Sequence, residues 1–368
     1  MTAISQDAVL DRLRAVEDPE LHRSIVELGM VRSIDIVGAS VRVDVALTVK
    51  GCPLTHRIER EIKDALADLD GVAGADAVEV RLGVMTPEEL REVSAKVRGG
   101  AAPAAGGPPA APSPFTDGSL RTKVLIVASG KGGVGKSTVA ANLAAALAAR
   151  GRAVGLLDAD IYGFSIPRIV GLKEAPRVIT DGIIIPPEAA GMKVMSMGSL
   201  VEERQPVIWR GPMLSKLLAQ FLGEVQWGEP DWLVVDSPPG TGDVAISLQG
   251  QLPKGAILLV TTPQELAASV AARVSAMAAR TGQRVLGVVE NMAYLVCEHC
   301  GQRTRLFEGD AARRLADGLG VPVLASLPLM PSLAGMADRG TPAVVADPSS
   351  PAARAFDDLA ARIEAAEV

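Results

Sequence analysis

The sequence predicts a doubly wound, mostly parallel α/β domain preceded by a small α+β domain. Three observations carry this. Within residues 118–368, six short and nearly continuous apolar runs recur with helical stretches between several of them. Strands buried on both faces look like this. Within residues 1–98, two runs instead alternate apolar and polar residues, as half-buried strands do. Between them, residues 99–117 read GGAAPAAGGPPAAPSPFTD, a Gly/Pro/Ala linker with almost nothing to bury.

In the first segment, Val9, Leu10, Leu13 and Val16 mark an amphipathic helix. Val41, Val43, Val45 and Leu47 then alternate with Arg42, Asp44, Ala46 and Thr48, which predicts a strand with one buried face. Ile58, Ile62, Ala65, Leu66 and Leu69 recur at helical spacing after Pro53. Val78, Val80, Leu82 and Val84 alternate again. Thr86-Pro87-Glu88-Glu89 opens a helix with three agreeing signals: an N-cap threonine, proline at the first position, and glutamate three residues after the cap.

In the second segment the expected strands are Val124–Ala128, Val154–Leu157, Leu233–Val235, Ile257–Thr261, Val285–Val289 and Val323–Leu327. A helix is expected over Ser137–Ala149, ending at Arg150-Gly151. The order strand, helix, strand implies parallel pairing with helices on both faces.

Composition excludes some function classes. The 368 residues are 48% hydrophobic but only 3% aromatic, with a formal charge of −6 and no long basic run. Phosphate neutralisation needs clustered Lys and Arg, so nucleic acid is not an expected partner. No apolar stretch approaches the roughly 20 residues that span a bilayer. The N-terminus lacks the charged and apolar regions of a signal peptide. A cytoplasmic protein without membrane contact is expected. Its three cysteines, Cys52, Cys297 and Cys300, are too few for a disulfide scaffold.

Gly130-Lys131-Gly132-Gly133-Val134-Gly135-Lys136-Ser137-Thr138 matches the phosphate-binding P-loop, in the required place between a strand and a helix. Glycines let backbone N–H groups turn onto phosphate oxygens, and the helix N-terminus adds partial positive charge. Lys136 is expected to reach the β- and γ-phosphates of ATP, and the Ser137 hydroxyl to ligate Mg2+. The KGGVGKST form, with its extra Lys131, resembles the deviant P-loop of MinD/ParA ATPases. That resemblance implies that Lys131 reaches a partner subunit's nucleotide. Two acidic strand ends follow: Asp158-Ala159-Asp160, and Asp236 at the end of WLVVD. Parallel strands deliver such residues to the ligand crevice. By the same resemblance Asp236 is the Walker B acid holding Mg2+ and Asp160 the acid that positions water. Asp158 is either part of this site or a capping residue.

Cys297-Glu298-His299-Cys300 is a CxxC. A zinc site, a redox pair and an iron–sulfur ligand set are all compatible with that spacing. Two thiolates make half of a four-ligand set. Cys52 lies across the linker, and His299 sits awkwardly inside the loop. Two chains related by a two-fold axis would supply four thiolates, and the same dimer would let Lys131 act in trans.

Taken together, SGKGGVGKST, DADIYGFSIP, DSPPGTGD and GVVENMAYLVCEHCG resemble the Mrp/ApbC family of iron–sulfur cluster carriers over nearly the whole second domain. Asp18-Pro19-Glu20 and Gly51-Cys52-Pro53 make the first domain similar to the small iron–sulfur assembly domain often fused ahead of it. One departure is Met330, where the family pattern leads to an acidic residue. The resemblance implies a homodimer, a 4Fe–4S cluster bridged by Cys297 and Cys300, ATP hydrolysis, and transfer of clusters from a donor scaffold to apo-proteins. It also implies that Asn291 reads the adenine edge, favouring ATP over GTP. The other reading is a MinD/ParA-type positioning ATPase with structural zinc at the CxxC.

Overall fold

The computed structural model describes residues 4–21, 23–48, 55–97, 115, 121–160, 163–180, 183–200, 211–240, 243–264, 278, 281–297, 299–307 and 309–366. Cys52 and its neighbours Gly51 and Pro53 lie outside the described residues, as does nearly all of the expected linker. The chain divides into two compact units, one of residues 1–109 with 177–185 and one of residues 110–176 with 186–368.

The first unit is a three-stranded sheet covered by helices. Helix α1 (Gln6–Leu13) is capped by the Ser5 hydroxyl, which accepts from the Ala8 amide, and buries Val9 and Leu13. Strands β1 (Val31–Val37) and β2 (Ser40–Leu47) pair antiparallel; β3 (Val78–Val84) joins β2 in parallel after helix α2 (Thr55–Ala67). Ile58, Ile62 and Leu66 of α2 meet Val41, Val43 and Val45 of the central strand in one core. Two details differ from the expected alternation. Ala46 and Thr48 are buried instead of facing solvent. Val84 is 45% exposed, since β3 is an edge strand. The hairpin Arg177–Ile185 belongs to this unit, although it lies far along the chain: Ile179, Ile183 and Ile185 share its core, and Arg177 pairs with the buried Glu20.

The second unit is built on a nine-stranded sheet. Its main strands are β4 (Lys123–Ser129), β5 (Val154–Asp158), β6 (Met192–Ser196), β7 (Trp232–Asp236), β8 (Ala256–Thr261), β9 (Val285–Val296), β10 (Arg303–Thr304) and β11 (Val323–Leu329). Their order is β6-β5-β7-β4-β8-β9, with β10 and β11 both pairing β9. All these pairs are parallel except β9 with β10; a two-residue edge strand, Glu188–Ala189, also pairs β6 antiparallel. Five of the six apolar runs therefore become buried strands, whereas Val323–Leu327 falls in β11, which pairs only β9 and is mostly half-buried; β6 adds a strand that the sequence reading did not identify.

Helix α4 (Lys136–Ala149) is alanine-rich and buries ten of its residues. It lies between the sheet and helix α7 (Pro351–Ala365), whose Phe356, Leu359, Ala360 and Ile363 are buried in the same core. Small side chains permit that close approach. The amide nitrogen of Asn142 donates to the Thr138 carbonyl, and its oxygen accepts from the Ala343 amide at 2.7 Å. This fixes α4, and with it the P-loop, to the C-terminal segment.

One expectation needs correction. The strand expected over Val285–Val289 stops short of Asn291, whereas β9 continues through it to Val296. Met292 takes a left-handed conformation, φ 57°, and pairing with β11 slips between Glu290 and Tyr294. The strand kinks there instead of ending, so it delivers Cys297 directly.

The capping box forms as expected ahead of helix α3 (Pro87–Val97). The Thr86 amide donates to Glu89 Oε2 at 2.6 Å, and the Glu89 amide donates to the Thr86 hydroxyl at 3.3 Å. Arg32 donates to both Glu89 oxygens, at 2.8 and 2.6 Å. Bonding to Arg32, then to the Thr86 amide, holds the Glu89 carboxyl at about 2, well below its ordinary value of 4.5. The folded form thus favours the carboxylate. Its stabilising effect is complete above the unfolded value and is lost as pH falls through the folded one. Urea midpoints of the wild type and Glu89→Gln should therefore differ by a constant amount above pH of about 5, and the gap should shrink below it. A gap independent of pH would contradict this assignment.

Candidate functional site

The parallel register sets the site. Asp158 ends β5, Asp236 ends β7, and the two are paired residues in adjacent strands. The P-loop leaves the end of β4, which neighbours β7 on its other side. Both carboxylates are fully buried, and Lys136 is 6% exposed. Lys136 Nζ donates to Asp236 Oδ1 at 2.5 Å. Lys136 Nζ also donates to the Ser137 hydroxyl at 3.4 Å. Asp158 accepts from the Ser196 hydroxyl at 3.0 Å and from the amides of Asp160 and Ile166.

Burial, reinforced by the charge of Asp236, pushes the Asp158 carboxyl up to about 7. Burial raises Asp236 too, while Lys136 opposes the shift. Two carboxylates in one dry site cannot both ionise cheaply against a single lysine. Asp158 is thus held by three groups, one of them the first amide of the helix Ile166–Val170. Ser196 was missed by the sequence reading, although the short apolar run before it was a usable strand signal. Asp160 is also buried, and accepts from the Gly163 amide at 3.2 Å.

The P-loop backbone is tied by the Ser129 hydroxyl donating to the Lys131 carbonyl at 2.9 Å. Val134 is buried in the core, whereas Lys131, Gly132 and Gly133 are exposed. Gly130 and Thr138 are half-buried, flanking the loop. Gly135 has φ 81°, and a Cβ there would lie 2.2 Å from the Asn291 amide nitrogen. Only glycine fits. Asn291 is buried and donates from that nitrogen to the Val134 carbonyl at 2.9 Å. Asn291 therefore holds the P-loop in this structure, a contact the sequence reading did not anticipate. Asp236 Oδ2 is buried with no hydrogen-bond partner among the described residues. Together with the Ser137 hydroxyl it forms the hard oxygen donor set that suits Mg2+.

The cysteines lie at the tip of the β9–β10 hairpin. The Cys297 amide donates to the Gln302 carbonyl at 2.9 Å, and the Gly301 amide donates back to the Cys297 carbonyl at 2.8 Å. Gly301 makes this reversal with φ 70°. Cys297 is half-buried and Cys300 exposed; neither is in a disulfide. His299 is exposed beside them. Among the described residues, no group of three or more His, Cys, Asp or Glu side chains converges as a metal site. Nor is any described helix long and apolar enough to cross a membrane.

Comparison with known proteins agrees with this architecture. Residues 121–364 match the ParA family described as NUBPL iron-transfer P-loop NTPase, and residues 6–80 match an iron–sulfur cluster assembly protein family. An iron–sulfur cluster carrier protein of Mycobacterium leprae is 47% identical over 353 residues, covering 94% of this chain and 89% of its own. Among solved structures, a nucleotide-binding protein from Archaeoglobus fulgidus in complex with ADP is 40% identical, with a TM-score of 0.53. That match covers 59% of this chain and 86% of the other. The cell division ATPase MinD of Pyrococcus furiosus is 26% identical, with a TM-score of 0.50 over 66% of this chain and 98% of its own. With its P-loop, paired acidic strand ends and CxxC hairpin on one sheet, the chain belongs to the ParA-type family of NUBPL iron-transfer P-loop NTPases, with an iron–sulfur cluster assembly domain ahead of the NTPase.

Proposed function

We propose that the chain hydrolyses ATP in the cytoplasm and carries a 4Fe–4S cluster, held between two copies of itself, from a donor scaffold to apo-proteins. One observation carries this reading: the strand that braces the P-loop through Asn291 runs on to the exposed hairpin bearing Cys297 and Cys300. Each chain offers two soft thiolates there, half of the usual four-thiolate set for a cubane cluster. A homodimer completes it, and places Lys131 where it can act on the partner's nucleotide.

In this mechanism Lys136 leaves Asp236 for the β- and γ-phosphates, and the exposed P-loop backbone cradles them. Ser137 and Asp236 would hold Mg2+, which supplies charge neutralisation at the phosphates. Asp160 orients the attacking water, and Asp158 fixes the strand end beside it. The adenine preference assigned to Asn291 remains part of the proposal, alongside its grip on the loop.

Met292 is the coupling element. It is not glycine yet has φ 57°, a strained conformation costing on the order of 1–3 kcal/mol. A Cβ on Gly135 would lie 3.6 Å from its terminal methyl carbon, so it packs beside the P-loop. Just before the kink the strand is tied by Glu290, which accepts from the Ser326 hydroxyl at 2.9 Å and faces Arg305 at 4.0 Å, and beyond it Tyr294 and Leu295 pair with Pro328 and Leu329 of β11. A shift of the P-loop on nucleotide binding therefore acts on the base of the cysteine hairpin.

Lys136→Ala should lower ATP turnover by at least about a hundredfold, since the phosphates lose their main side-chain partner. Lys131→Ala should spare nucleotide affinity while turnover falls by on the order of a thousandfold, as for a finger residue in trans. An equal fall in both would exclude that role.

After anaerobic reconstitution, the wild type should hold about four iron atoms per dimer with visible absorption, and Cys297→Ser or Cys300→Ser should lose most of both. A colourless, zinc-loaded dimer would favour the positioning ATPase. Four irons per monomer, or iron retained in the double variant, would exclude the bridged cluster.

Met292→Gly should relieve the strained backbone. ATP should then no longer change the rate of cluster transfer to an apo-ferredoxin, while ATP turnover stays within a few-fold. An unaltered response to ATP would rule out the kink as the coupling point.

A further inference from the structure

Behind the cysteine hairpin lies an open groove of about 550 Å3, between β9, β10, β11 and α7. Val296 and Gly301 of the hairpin form one wall. Three arginines, Arg303, Arg354 and Arg362, line it with a single carboxylate, Asp358, and the hydroxyls of Tyr294 and Ser326. The charge is unbalanced for a structural reason. Arg354, Asp358 and Arg362 stand four residues apart on α7 and so share a face. The other acids of this helix, Asp357 and Glu364, pair with Arg150 and Arg152 instead.

Among the described residues, none of the three groove arginines is ion-paired. Arg303 lies over the Tyr294 ring, 4.8 Å from its centroid. Arg362 donates to the Leu324 carbonyl at 2.7 Å. Guanidinium groups present planar forks that match carboxylates, and most of their donors here are uncommitted.

We infer that this groove docks an acidic peptide segment of the protein that exchanges cargo with the cysteine hairpin. The exchange partner's identity rests on the function proposed above; the acidic chemistry of the occupant does not. Two features favour a polypeptide over a small anion. A small-molecule site usually encloses most of its ligand, whereas Arg303, Arg354, Ser326 and Asp358 are exposed. The groove is also continuous with the hairpin, so a segment seated in it brings its parent protein alongside Cys297 and Cys300. Charges of this kind raise the encounter rate and fix orientation, and salt weakens them.

The test uses the full chain, free of cluster, and a fluorescein-labelled heptapeptide of alternating glutamate and glycine. Fluorescence anisotropy should show binding that weakens as salt rises. Arg303→Glu with Arg354→Glu should reduce affinity at least tenfold. Lys173→Glu with Lys254→Glu, two exposed positions elsewhere on the same unit, should leave it unchanged. Equal affinity in all three proteins overturns the proposal. So does displacement of the peptide by inorganic phosphate or citrate at lower concentration than by unlabelled peptide, which would make this a small-anion site. Iron content after reconstitution separates the two readings. Wild type that holds no iron yet binds the peptide through these arginines refutes the cargo and leaves the groove standing. Normal iron with unaffected peptide binding in the charge-reversed variant refutes the groove alone.

Discussion

The site depends on how two adjacent buried carboxylates are compensated. Asp158 and Asp236 end neighbouring parallel strands in register, and both are fully buried. One lysine, Lys136, meets Asp236 at 2.5 Å. Breaking such a pair by removing one partner costs about 3–5 kcal/mol, because the remaining charge stays buried. The surrounding groups are placed accordingly. Ser137 accepts from Lys136, while Ser196 and two backbone amides satisfy Asp158. The resulting arrangement is poised: a lysine committed to a carboxylate is one that a phosphate group can claim.

The same sheet carries both chemistries because one strand is long. β9 begins in the buried sheet, passes the P-loop at Asn291 and ends at the cysteine hairpin. A strand that stopped at Val289 would leave the hairpin on a loop of its own, without a rigid route to the nucleotide. The kink at Met292 keeps the strand paired with β11 on either side of the irregularity. Packed cores resist gradual deformation, which is why the coupling proposed above is assigned to a paired strand.

Helix α4 shows why the composition is so rich in alanine and poor in aromatics. It is covered on one side by the sheet and on another by α7, so nearly every face must be small and apolar. Its N-terminus is thereby held firmly enough to serve as the phosphate-binding end. The polar exception, Asn142, is fully used, one amide atom within the helix and one across to Ala343. A buried polar group of this kind is tolerable only when both ends are satisfied.

The fold class, the P-loop, the acidic strand ends and the CxxC are legible in the order of the residues. Each depends on local pattern: apolar runs of strand length, glycines where backbone must turn inward, and thiols at ligand spacing. The capping box at Thr86 and Glu89 was equally legible, because its bonds close within one helical turn. The remaining features join residues far apart in the chain, which only folding brings together. Ser196 meets Asp158 across 38 positions, and Asn291 meets Val134 across 157. The hairpin Arg177–Ile185 joins the core of the first unit, although the sequence places it well inside the second. The continuation of β9 past Val289 was hidden for a related reason. A left-handed methionine leaves no mark in a hydrophobicity pattern, because the packing and pairing around it, and not its own preference, hold its backbone there.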